Sequence, residues 1–162
     1  MKKYLIIIVL FVLQNSFGQQ NTTTTYYFIR HAEKADDSKN PDLSEIGFER
    51  AKTWNKIFSE INFDQIYSTD YNRTQQTVNP TAISKKISVK LYNPKTIAIE
   101  SFKKETLGKK VLIVGHSNSI PNFVNQIINQ KIYPNIDEDT FGNLYIVTIT
   151  DDTITYQLLK LP

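Results

Sequence analysis

The sequence predicts an α/β domain: a three-layer sandwich with helices on both faces of a mostly parallel sheet and an antiparallel pair at one edge. Three features predict it. Short strand-like runs alternate with segments of helical spacing from Tyr26 to Ile128, the pattern of successive βαβ units. Runs such as "YYFI" and "VLIV" are continuously apolar, as strands covered on both faces must be. The last two strand-like runs are separated only by Asp151 and Asp152, a hairpin signal.

In chain order, Tyr26–Ile29 forms the first strand. "DLSEIGFERAKTWNKIFSEI" follows, with Leu43, Ile46, Ala51, Trp54, Ile57, Phe58 and Ile61 at helical spacings and Ser44 as the N-cap. "DQIYS" is a short second strand. "YNRTQQTVNPTAISKK" is a second helix that Pro80 should kink or end early. "SVKLY" is the third strand, and "AIESFKKETLGKK" a helix closed near Gly108. "VLIVGH" is a strand of four branched aliphatics running into Gly-His. "SIPNFVNQIIN" is a helix with Pro121 in its first turn, where a missing N–H costs nothing. "GNLYIVTIT" and "TITYQLLKL" close the chain as a hairpin.

Ahead of this domain lies "MKKYLIIIVLFVLQNSFGQQ", with two lysines, an apolar run from Leu5 to Leu13, then Ser16 and Gly18. This is the layout of a secretory signal peptide cut after Gly18, and it implies a secreted or periplasmic protein. The apolar run is too short to span a bilayer, which needs about 20 helical residues. "NTTTT" reads as part of a flexible lead over residues 19–25, and residues 26–162 as one domain. Loss of residues 1–18 removes two lysines and no acid, taking the net charge from +3 to +1. So nearly neutral a protein carries no nucleic-acid footprint, and no membrane contact is expected after cleavage. With no cysteine and two histidines, disulfides and thiolate chemistry are excluded, and no metal or cofactor is expected. Nothing in the sequence fixes the oligomeric state.

Two strands end in histidine, "FIRH" and "LIVGH", and a third leads within a few residues to Arg73. In an open α/β sheet, ligands bind beyond the carboxyl ends of the strands, and right-handed crossovers bring those ends to one edge. Arg30, His31, Arg73 and His116 should therefore converge. Four cationic or potentially cationic groups in one crevice call for an anion, of which a phosphoryl group is the simplest. Arginine forks grip its oxygens in bidentate fashion, and one histidine can attack phosphorus.

"FIRHAEK", "LSEIGFERA", "IYSTDYNRTQQT" and "VLIVGHSNSIP" resemble, in order, the signatures of the histidine phosphatase superfamily, which includes the cofactor-dependent phosphoglycerate mutases. The likeness runs from about Tyr26 to about Ile128. It implies that His31 becomes phosphorylated and that Arg30, Arg73 and His116 form the phosphate pocket. Asn118 matches an asparagine that contacts substrate in the mutase branch, although an asparagine at a helix start is also a common cap. Ser44 to Ala51 are assigned to helix capping and packing.

The general acid is the departure from the pattern. One branch carries an aspartate directly after the late histidine, where this chain has Ser117. The nearest carboxylate to the nucleophile is Glu33, which could equally form a salt bridge; Glu100 and Glu105 are further candidates. The implied activity is a metal-independent phosphohydrolase acting on a small phosphorylated substrate, with inorganic phosphate as product. The alternatives are a phosphate- or phosphoprotein-binding module of weak activity and, less favoured, a phosphomutase.

Overall fold

The computed structural model describes residues 22–162. The signal-peptide expectation, residues 1–18, lies outside the described residues. Ten elements follow one another: β1 (Thr23–Arg30), α1 (Glu45–Ile57), β2 (Gln65–Thr69), α2 (Asn72–Lys85), β3 (Val89–Tyr92), α3 (Ile99–Glu105), β4 (Lys110–Gly115), α4 (Ser119–Ile128), β5 (Asn143–Thr150) and β6 (Thr153–Lys160). One six-stranded sheet has the order β3-β2-β4-β1-β5-β6. The β3–β2, β2–β4 and β4–β1 pairs are parallel, whereas β5 pairs antiparallel with β1 and with β6. This is the mostly parallel sheet with an antiparallel edge that the sequence predicts.

Alternation along the strands divides the core. Val111 and Ile113 of β4 join Phe28, Phe102, Phe123, Val124 and Ile127 on the face covered by α3 and α4. Leu112 and Val114 point the other way, to Ile29, Trp54, Phe58, Val78 and Ala82 beneath α1 and α2. Both faces of β4 are thus buried, which is why its sequence shows no polar alternation.

Three expectations change. Thr23, Thr24 and Thr25 are not a flexible lead but the start of β1, paired with Thr150, Ile149 and Thr148 of β5. Their β-branched side chains suit a strand. Pro80 does not end α2, which runs on to Lys85; burial of Val78, Thr81 and Ala82 on either side of it offsets the lost hydrogen bond. On α1, Ala51, Trp54 and Phe58 are buried, but Ile46 and Ile57 face solvent, so the apolar stripe is narrower than the spacing implies. Among the described residues no helix is long and apolar enough to cross a membrane.

The sheet order positions the site. Arg30 at the end of β1 pairs with Gly115 at the end of β4, and Ser68 of β2 pairs with Val114 on the other side. The segments leaving β1, β4 and β2 therefore emerge side by side.

Candidate active site

His31 is the first residue past β1, and its backbone N–H donates to the Gly115 carbonyl at 2.9 Å. The residue is 4% exposed. Nδ1 lies 2.7 Å from the Ala32 carbonyl; a carbonyl only accepts, so Nδ1 carries the proton and Nε2 keeps its lone pair. Burial pushes the ring down from the usual 6.5 to about 3, against the raising effect of the Ala32 bond and with the help of Arg30, His116 and Arg73. The imidazole is neutral at ordinary pH.

His116, next after Gly115, has its ring centroid 5.4 Å from that of His31. A Cβ on Gly115 would stand 2.8 Å from the Tyr92 hydroxyl and 2.9 Å from Ile120 Cδ1 and Ser119 Oγ, so those side-chain ends would have to shift. The Arg73 guanidinium approaches His116 Nδ1 at 3.4 Å and can only donate. His116 Nε2 therefore holds its proton and gives it to Thr69 Oγ1 at 2.9 Å. Burial, then Arg73 and Arg30, lower His116 to about 4. Four cations do not meet here. Two neutral imidazoles sit between two arginines.

Those arginines differ. Arg73 lies over the Tyr71 ring at 4.6 Å, which itself stands edge-on to His116 at 4.9 Å. Arg30 is 1% exposed and lies against Phe141. Its Nη1 donates to the carbonyls of Asp137, Glu138 and Thr140 at 2.8, 2.9 and 3.1 Å. Its Nη2 pairs with the Glu138 carboxylate at 2.7 Å. Arg30 Nε and Arg73 Nη1 are buried without a hydrogen-bond partner among the described residues, and orphaned buried donors of this kind ask for an acceptor. A cavity of about 1110 Å³ opens over the site, lined among others by His31, Arg73, His116, Asn118, Lys34 and Lys95. Asn118 occupies the N-cap position of α4 but makes no capping hydrogen bond, so its side chain is left to the cavity.

Glu33 does not reach this cavity. Arg50 of α1 holds its carboxylate in a fork, Nε to Oε1 and Oε2 at 2.8 and 2.9 Å and Nη2 to Oε1 at 2.8 Å. The expectation of Glu33 as a catalytic acid is thereby corrected to an ion pair. Glu100 pairs with Lys103, and Glu105 with Lys90 and the Tyr67 hydroxyl; neither lines the cavity.

Several residues around the site escape sequence reasoning. Thr77 Oγ1 accepts from the Ala32 N–H at 2.9 Å and donates to the Arg73 carbonyl at 2.6 Å. Gln76 accepts from Leu43 N–H and donates to Asp42, and Asn72 donates to Asp42. The polar residues around Arg73 thus fasten the loop that follows His31 onto α2. Glu138, remote in sequence from every motif, carried no signal at all.

Residues 26–93 match the family described as the histidine phosphatase superfamily (branch 1). Among curated proteins none matches. A putative α-ribazole-5'-P phosphatase from Escherichia coli K-12 superposes with a TM-score of 0.68 at 14% identity, over 85% of this chain and 96% of that one. A putative phosphohistidine phosphatase SixA from Agrobacterium tumefaciens gives 0.61 at 17% identity, over 85% and 99%. The protein histidine phosphatase SixA complexed with tungstate gives 0.67 at 13% identity, over 84% and 96%.

Proposed function

From the match of residues 26–93 to the histidine phosphatase superfamily, we propose that this chain is a phosphohydrolase working through a phosphohistidine on His31. The carrying observation is a neutral, buried His31 that lines the cavity, its Nδ1 proton committed to Ala32 and its Nε2 lone pair free. The SixA structure's tungstate, an oxyanion of phosphate-like shape, supports the same substrate class.

His31 Nε2 attacks phosphorus in line. The N–P bond forms as the P–O ester bond breaks, and its electron pair leaves on the ester oxygen, which takes a proton. Arg73 and the free N–H of Arg30 take the charge on the equatorial oxygens, the kind of preorganised stabilisation that is usually the largest catalytic term. His116 adds its dipole, and Asn118 contacts the remainder of the substrate. Water then attacks the phosphohistidine, the N–P electron pair returns to the ring, and phosphate leaves. The arginines supply the charge neutralisation that metal ions supply elsewhere.

The test is brief reaction with an activated phosphoryl donor, followed by a phosphate-release screen over diverse monoesters. An acid-labile phosphate on His31, lost with turnover in His31→Ala, supports the reading. Label persisting in that variant points to another nucleophile. A second reading, a phosphate- or phosphoprotein-binding module, draws on the engagement of Arg30 by Glu138. It requires phosphate binding without any turnover by the wild type.

Export is part of the same proposal. The two lysines, nine-residue apolar run and Ser16/Gly18 of the N-terminus support it. N-terminal sequencing of the mature protein should begin at Gln19; an intact Met1 on the exported chain would overturn the cleavage.

A further inference from the structure

Of the residues that line the cavity, the carboxylates are Asp70 and Glu138. Asp70 accepts from Gln75 on the next helix and touches neither arginine nor histidine of the site. Glu138 is different. Its Oε2 takes Arg30 Nη2 at 2.7 Å and its Oε1 the Ser117 hydroxyl at 2.9 Å. It is an anion in the arginine fork that a substrate phosphoryl group would claim.

We propose that the incoming phosphoryl group displaces the Glu138 carboxylate from Arg30, and that Glu138 then acts as the proton donor to the leaving oxygen. The inference rests on the phosphatase reading above and deepens it.

Three features carry the motion and the chemistry. The Glu138 side chain is 73% exposed although its partner is buried, so it can swing without unpacking the core. Its backbone carbonyl stays tied to Arg30 Nη1 at 2.9 Å, so the residue remains at the cavity wall. The Ser117 hydroxyl that holds its other oxygen belongs to the residue after His116, which keeps the carboxyl beside the reacting centre. Ser117 foremost, then Arg30, hold the carboxyl below its usual range. A dianion that takes over Arg30 withdraws that cation and adds negative charge alongside, both of which favour the protonated acid. The proton comes from solvent on binding.

The step balances. The P–O bond breaks as the His31 Nε2–P bond forms, its electron pair stays on the ester oxygen, and that oxygen takes the Glu138 proton. In the second step the Glu138 carboxylate takes a proton from the water that attacks phosphorus, and the His31–P bond breaks.

Glu138→Gln separates the two halves. The probes are inorganic phosphate and two aryl esters of similar shape, 4-nitrophenyl phosphate and phenyl phosphate. The variant should bind phosphate several-fold more tightly, because Arg30 loses its internal anion. Its kcat should fall at least tenfold further on phenyl phosphate, whose leaving group needs a proton, than on the nitrophenyl ester, within the roughly 10²–10⁴ that acid catalysis is worth. Equal kcat losses on the two esters, or no loss, overturn Glu138 as the acid; unchanged or weaker phosphate binding overturns the displacement. Label on His31 with a silent Glu138→Gln sinks this inference alone. A wild type that neither labels nor turns over sinks the phosphatase reading and this inference with it.

Discussion

With Nδ1 donating to Ala32 at 2.7 Å and the ring depressed to about 3, His31 needs no activating base near neutrality. Its protonation cannot then set the acid limb of the activity profile between pH 5 and 8. Arg73 carries a sharper prediction. Its fork gives one N–H to His116 and leaves Nη1 unpartnered, a division that a lysine's single ammonium cannot reproduce. Arg73→Lys should weaken inorganic phosphate by about tenfold to a hundredfold, the worth of one charge-assisted hydrogen bond, with an unchanged melting temperature. Binding within twofold of wild type would remove Arg73 from the clamp. Glu33 predicts the opposite pattern from an acid: Glu33→Gln should lose little and equally on good and poor leaving groups, with stability falling by about 1 kcal/mol as the Arg50 fork is broken. The convergence of Arg30, His31, Arg73 and His116 was legible because each sits at a strand end or just past one. The partner of Glu33 was not, since nothing local distinguishes Arg50 from a solvated helix arginine.

At the scale of elements, the segment "LSEIGFERA" turns out to serve the nucleophile from a distance. Ser44 caps α1 by accepting from Gly47 N–H, while its own N–H donates to the Glu33 carbonyl. A Cβ on Gly47 would stand 2.2 Å from that same carbonyl oxygen. Gly47→Ala must therefore push the loop after His31 off the helix, although alanine is the better helix former by about 1 kcal/mol. Stability and turnover should fall together, measurable by thermal unfolding and phosphate release; a stabilised, fully active variant would contradict the close approach. Thr77→Val makes the complementary test from α2. It keeps shape but leaves the buried Ala32 N–H without its acceptor, at a cost of about 1–3 kcal/mol. Capping and helical spacing revealed α1, and the alternation of strands and helices revealed α2. The reason for their glycine and threonine lay in a backbone passing overhead, which no periodicity encodes. Pro80 did not end its helix for a related cause, because its local penalty was outweighed by the packing of α2.

For the whole molecule, a buried His31 and a half-buried His116, both neutral between two arginines, tie stability to pH. Both rings are depressed in the fold, to about 3 and about 4, from 6.5. Below about pH 6.5 the unfolded chain takes up protons that the fold refuses, so stability is full above that point and declines as pH falls towards 4 and 3. Each histidine contributes at most about 1.4 kcal/mol per pH unit in that window. Exposed carboxylates with lowered values, Glu105 and Glu138, act in the same direction, so the slope lost in a His31→Gln, His116→Gln double variant isolates the imidazoles. An anion in the cavity should reverse part of this decline. It favours the charged ring, so its binding takes up protons and must strengthen as pH falls. Sulfate is the suitable probe, since it stays a dianion across the range. The rise in melting temperature that a fixed sulfate concentration produces should be larger at pH 5 than at pH 7.5. In Glu138→Gln a smaller part of that difference should remain, because protonation of the competing carboxylate no longer contributes. A sulfate effect independent of pH in the wild type would mean that the anion does not sit between the two histidines.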